Sequence, residues 1–134
     1  MTILHSSGVT LNDIYVNSNS PVHGIPARNT DGADTMFSDS ISFNRWSVVN
    51  GDDSISTKAN SRNIFISDST FINGLGIALG STGQYKGQYE IIENVTAVNV
   101  QFKKTLCAGY IKTWAGEQVG YPPNGGGSGF GRKS

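Results

Sequence analysis

Four stretches of the chain place apolar residues at the same relative positions, 0, +2, +5 and +7. They are Val9-Leu11-Ile14-Val16, Ile41-Phe43-Trp46-Val48, Ile64-Ile66-Ser69-Phe71 and Val95-Ala97-Val100-Phe102, with Ser69 the one polar member. A single strand would keep period two throughout, so the step from +2 to +5 predicts two short strands separated by a bend. Position +4, at that bend, is polar each time: Asp13, Arg45, Asp68 and Asn99. At +9 two of the repeats continue as Asn50-Gly51 and Asn73-Gly74, a turn signal that tolerates positive φ.

Repeat starts fall 32, 23 and 31 residues apart. The short interval suits one coil of a right-handed parallel β-helix, three short strands and three bends per coil. The longer intervals then carry inserted loops, expected at residues 20–33 and 81–90. In such a solenoid each coil buries its apolar residues against its neighbours, and no coil is stable alone. An antiparallel sandwich also shows short strands with turns, and periodicity by itself leaves both architectures open. No window shows a 3.6-residue apolar period, and Gly, Asn and Ser interrupt every helical candidate. Residues 114–131 read as a long loop, either a flexible linker or the border of a sugar-binding groove that presents Trp114 and Tyr121.

The composition agrees with a folded, turn-rich β chain. Gly, Ser, Asn and Thr make up 55 of the 134 residues, yet six Phe, five Tyr and two Trp argue against disorder. The length allows one domain. Ten basic and ten acidic residues leave no basic field, so nucleic acid is not an expected partner. No apolar run approaches a membrane span, and residues 1–20 lack the pattern of a signal peptide. A single cysteine, Cys107, excludes an internal disulfide framework and a cysteine-based zinc site, and its neighbours Leu106 and Ala108 suggest a buried small apolar residue. The chain opens directly into a repeat and stops at Lys133-Ser134, where another should begin. The expectation is therefore a partial β-helix catalytic domain over 1–134, about four coils, truncated at both ends and folding poorly alone.

The most informative chemistry lies in Asp31, within Asn29-Thr30-Asp31-Gly32, and in Asp52 and Asp53, after Gly51. Asp31 and Asp52 are 21 residues apart, close to one coil, so in a solenoid they sit side by side at the strand spacing of ~4.8 Å. Adjacent residues on a regular strand face opposite ways. For Asp52 and Asp53 to share a cleft the backbone must bend, and Gly51 is the residue expected to permit it. Crowded carboxylates suit glycoside hydrolysis, because like charges push one pKa up and separate a proton donor from an ionised base. The plainer reading of each is a turn cap.

NTDG (29–32), GDD (51–53), GLGIALGS (74–81) and YIK (110–112), in this order and spacing, resemble glycoside hydrolase family 28, the pectin-cleaving polygalacturonases. The similarity runs over nearly the whole chain and looks most like the fungal exo-acting branch, galacturonidases or rhamnosidases. The resemblance implies a right-handed β-helix, an inverting mechanism without metal or cofactor, secretion, and a monomer that acts on pectic polysaccharide. It implies Asp52 as proton donor, Asp31 and Asp53 as holders of the attacking water, and Lys112 as a substrate contact. Two motifs depart from the pattern. The family His between glycines is Leu75 here, which cannot exchange protons, and the family Arg before Ile-Lys is Tyr110, which removes a bidentate clamp for a uronate. Both stand at expected substrate-binding positions and favour an atypical sugar such as rhamnose next to galacturonate.

Other residues carry less. His5 and His23 are the two histidines; His23 precedes the NTDG loop and reads either as a residue near the cleft or, more plainly, as a surface residue. Asn94-Val95-Thr96 is a lone glycosylation sequon. Gly74-Leu75-Gly76 makes no dinucleotide fingerprint, because the third glycine is one residue late and no helix follows. Two further functions compete with hydrolysis: a carbohydrate-binding β-helix that has lost catalysis, and a structural solenoid with a protein partner. The second has no need of three aligned Asp.

Overall fold

The computed structural model describes residues 1–132. Among these the chain winds through fourteen strands and no helix. The first coil holds β1 (Thr2–Leu4), β2 (Ser7–Asn12) and β3 (Tyr15–Asn17); the second, β4 (Ala33–Met36), β5 (Asp39–Asn44) and β6 (Ser47–Asn50). The third holds β7 (Asp53–Thr57), β8 (Ser61–Ser67) and β9 (Thr70–Asn73); the fourth, β10 (Gly76–Thr82), β11 (Tyr89–Val98) and β12 (Gln101–Lys103). Beyond these four coils, β13 (Gly109–Thr113) and β14 (Ser128–Arg132) begin a fifth. Corresponding strands stack into three parallel sheets, β1-β4-β7-β10-β13, β2-β5-β8-β11-β14 and β3-β6-β9-β12. The architecture is the right-handed parallel β-helix, not the sandwich.

The apolar repeat is the register of the second and third sheets. Ile41 pairs with Val9 and Ile64, and Ile64 with Val95. Phe43 pairs with Leu11 and Ile66, and Phe71 with Val48 and Phe102. These columns point inward and form a core centred on Ile41, Phe43, Trp46, Val48, Ile64, Ile66 and Phe71, all essentially inaccessible. Each such side chain contributes roughly 1.5–3 kcal/mol by leaving water. Ser69 breaks the apolar column for a physical reason. It lies one coil from Trp46, whose bulk fills the space, and its buried hydroxyl donates to the Ser67 carbonyl (2.6 Å) while accepting the Trp46 amide (3.0 Å).

The polar +4 column marks the bends. Asp13, Arg45, Asp68 and Asn99 all have φ between 51° and 58°, the left-handed region that short polar side chains tolerate best. They also pair along the helix axis: Arg45 Nε lies 2.6 Å from Asp13 Oδ1, and Asn99 Nδ2 donates to Asp68 Oδ1 at 2.6 Å. The residues just before each repeat, Gly8, Ser40, Asn63 and Asn94, form a second left-handed column.

Several expectations need correction. The first inserted loop runs over 18–32, since Ala33 already belongs to β4, and the second is trimmed to 83–88 by β10 and β11. The long loop ends at residue 127, because Ser128–Arg132 pairs with β11 as β14. Inside it the Val119 and Asn124 backbones pair with each other. Asn50 does not adopt positive φ, whereas Asn73 does, at 65°. Cys107 is half-buried, not buried. Lys133 and Ser134, where a further repeat was expected to start, lie outside the described residues.

Candidate active site

The first sheet carries the candidate site on its outward face. Asp34 on β4, Ser56 on β7, Ala78 on β10 and Tyr110 on β13 stand in one register row. Between Asp53 and Ile55 the pairing with β10 slips by one residue, so Gly76 faces Asp53 while Ile77 faces Ile55. This bulge ends the strict alternation at the start of β7.

The bend before β7 is held by Asn50. Its buried Nδ2 donates to the carbonyls of Thr30 (2.9 Å), Asp52 (2.9 Å) and Asp53 (2.8 Å), tying the NTDG and GDD segments together. Gly51 matters for a different reason from the one expected. Its φ is not left-handed; instead a Cβ there would meet the Ala27 backbone at 2.5 Å, so glycine lets the 18–32 loop close down. That loop delivers Asn29, whose amide donates to Asp52 Oδ2 (2.8 Å), while the Asp53 amide donates to Asp52 Oδ1 (3.0 Å).

One oxygen from each of Asp31, Asp52 and Asp53 lies within 4.8 Å of the others. Their exposure differs. Asp31 and Asp52 are partly open to solvent, whereas Asp53 is fully buried and does not share the open notch as expected. Tyr110 and Lys112 account for this. Both side chains reach Asp53 across β10, where a Cβ at Gly76 or Gly80 would collide with the neighbouring Cys107 or Lys112 backbone. The Tyr110 hydroxyl then donates to Asp53 Oδ1, and Lys112 Nζ donates to Asp53 Oδ2 at 3.2 Å. Burial, and next the bond to Asp53, hold the Tyr110 phenol above its ordinary pKa.

Two residues of this face escaped the sequence reading. Asp34 packs beside Asp31, and Lys58 Nζ stands between them, 3.3 Å from Asp34 Oδ1 and 3.8 Å from Asp31 Oδ2. Burial, then the charge of Asp34 and a hydrogen bond shared with it, then Asp53 and Asp52, push the Asp31 carboxyl up to about 7. The available signal was strand parity, since Ala33 points inward and Asp34 must therefore point outward.

Leu75 lies half-buried behind the carboxylates, and its amide donates to the Asp52 carbonyl at 2.9 Å. It lines a cavity of about 780 Å³ between the 18–32 loop and the turns after β9 and β12. His23, for which a surface place and one near the cleft were both open, is exposed and lines the same cavity. Trp114 and Tyr121 are both exposed and line no described cavity; Tyr121 is fully so.

An alpha-L-rhamnosidase of Aspergillus niger is 54% identical over the whole chain, which spans 31% of that relative. An exopolygalacturonase of Cochliobolus carbonum is 37% identical over 95% of the chain and 29% of its own length. Exopolygalacturonase B of Aspergillus niger is 36% identical over 88% of the chain and 27% of its own length. The chain thus spans about a third of the length of the curated relatives it matches, and no solved structure matches it. The sequence profile of glycosyl hydrolases family 28 matches residues 1–121, and with the β-helix and its cluster of aspartates it places the chain in that family.

Proposed function

We propose that the full-length protein carrying this segment hydrolyses glycosidic bonds at the ends of pectic chains, releasing galacturonosyl or rhamnosyl units outside the cell. It acts as a monomer, without nucleic acid, membrane or metal. The observation that carries this reading is the convergence of Asp31 and Asp52, two partly exposed carboxylates from adjacent coils. Hydrolysis needs one group to protonate the leaving oxygen and another to activate water. In this reading Asp52 donates the proton. Asp31 takes the proton of the attacking water, because Asp53 has both oxygens engaged and supports the site from beneath. Lys112 acts mainly through Asp53, and Tyr110 and Leu75 shape the space for the sugar. The test is release of rhamnose or galacturonate from pectic oligosaccharides by the full-length protein, abolished by Asp52→Asn.

A second reading is favoured by the burial of Asp53 under Tyr110: a β-helix that binds the same sugars without cleaving them. Binding of those oligosaccharides with no sugar released by the wild type selects it.

A further inference from the structure

Lys58 emerges on the carboxylate face because its neighbour Thr57 points inward. Thr57 pairs with Thr35 and both are fully buried, so strand parity sends Asp34 and Lys58 outward together. The Lys58 amide donates to the Thr35 carbonyl (2.8 Å), which carries the pairing of β4 with β7 one residue beyond Thr57. Its side chain then reaches back along the face, with Nζ 3.3 Å from Asp34 Oδ1 and 3.8 Å from Asp31 Oδ2. The Lys58, Asp34 and Asp31 side chains are 31%, 20% and 18% exposed, so water screens their charges only in part.

The two lysines of this face are divided unevenly among its four aspartates. Lys112 is engaged by buried Asp53, and Lys58 lies closer to Asp34 than to Asp31. Asp52, the proposed proton donor, has no ion-pair partner among the described residues; its oxygens accept the amides of Asn29 and Asp53. A cation beside it would favour loss of the proton it has to give. Asp31 has the opposite need, since a base must be ionised when water arrives. Asp34, Asp52 and Asp53 all oppose that charge, while Tyr110 and Lys112 on β13 bond to Asp53. Ala78 on β10 brings no charge to the row. With no cation at Asp34, Asp31 and Asp34 would compete for one proton.

We propose that Lys58 is a positioning residue for the reaction: its ammonium keeps Asp34 ionised and neutralised, so that Asp31 is the one group of the pair that exchanges a proton with water. The inference rests on the hydrolase reading and adds the group that sets its working pH. In the step itself the water oxygen bonds to the anomeric carbon, its proton passes to Asp31, and the leaving oxygen takes the proton of Asp52. Lys58 keeps its own protons throughout.

The test is the pH profile of kcat/KM on a pectic oligosaccharide with the full-length protein. Lys58→Met should move the ascending limb to higher pH by about one unit, an about tenfold loss at pH values below the limb that closes as the pH rises. Lys58→Gln, a second neutral replacement, should give the same shift, and Lys58→Arg should leave the limb in place. Lys58→Met combined with Asp34→Asn removes charge and counter-charge together and should return the limb to within about half a unit of the wild type. A residue that only braced the end of β7 would lower activity at every pH and gain nothing from the second substitution. An unmoved limb in Lys58→Met, or no return in the double variant, overturns the proposal. If the wild type releases no sugar the hydrolase reading fails, and NMR titration of the carboxyl carbons in aspartate-labelled full-length protein still decides the role of Lys58. The Asp31 signal, assigned by its loss in Asp31→Asn, should titrate about one unit higher in Lys58→Met and return in the double variant; one midpoint in all three proteins overturns the proposal.

Discussion

Tyr110 on β13 and Asp53 on β7 are joined, hydroxyl to carboxylate, across the full width of β10. The bond seals Asp53 from solvent and fixes the carboxylate that anchors Lys112. A hydrogen bond to a charged group contributes about 1.5–3 kcal/mol, and about 1.4 kcal/mol is tenfold in rate. Tyr110→Phe keeps the ring and removes only the hydroxyl. Its kcat on a pectic oligosaccharide should fall about tenfold to a hundredfold with KM little changed. An unchanged kcat at equal stability would show that Asp53 needs no such seal.

Asp31 sets a pH dependence with a definite sign. Its carboxyl is pushed up to about 7, burial first and Asp34 next. As the base for water it must be ionised, so its loss of a proton should give kcat/KM an ascending limb through about 7. Asp34→Asn removes the neighbouring charge that holds the proton on Asp31, and the ascending limb should move to lower pH. A limb that stays in place, or activity that falls through pH 7, would remove Asp31 from the role of base.

The second and third sheets were legible because their inward positions are large and apolar and recur at fixed offsets, as with Val9, Ile41, Ile64 and Val95. The first sheet, which carries the site, was not, because its inward positions include Thr35 and Thr57, both fully buried but polar, so no apolar alternation marks it. The coil spacing of Asp31 and Asp52 could be counted along the chain. The bulge that turns Asp53 toward Tyr110 could not, since it depends on how β7 and β10 slip against each other. Asp34 and Lys58 meet only once Ser56 is set opposite Asp34, a pairing that the inserted loop of 18–32 conceals from any fixed period.

Stereochemistry offers a separate check. One oxygen each from Asp31, Asp52 and Asp53 lies within 4.8 Å, closer than the roughly 6.5–9.5 Å common between inverting carboxyl groups. Retention requires a carboxylate oxygen free to bond to the anomeric carbon. Asp53 has neither oxygen free, and in the proposed division of roles ionised Asp31 spends its free oxygen on the proton of water, so water is the attacking group. Proton NMR of freshly released sugar should show the inverted anomer first. The retained anomer would make Asp31 a nucleophile and overturn the proposed division of roles.

Asn50 joins stability to the site more directly than any other residue of the bend. Its amide reaches the carbonyls of Thr30, Asp52 and Asp53 from a fully buried position, next to a Gly32 amide that also donates to Asp53. Asn50→Ala withdraws the donor and leaves the Thr30 carbonyl short of a partner, at a cost of about 2 kcal/mol. Asn50→Asp keeps the shape but points a carboxylate at three carbonyl oxygens, so it should cost more than alanine at neutral pH, and less as the pH falls and the new carboxyl gains a proton to donate. Denaturation midpoints of the full-length variants at pH 7 and pH 4 check this order. If aspartate is tolerated as well as alanine at pH 7, the amide is a space-filler, and the NTDG and GDD segments are held together by their other hydrogen bonds, such as that of the Asn29 amide to Asp52.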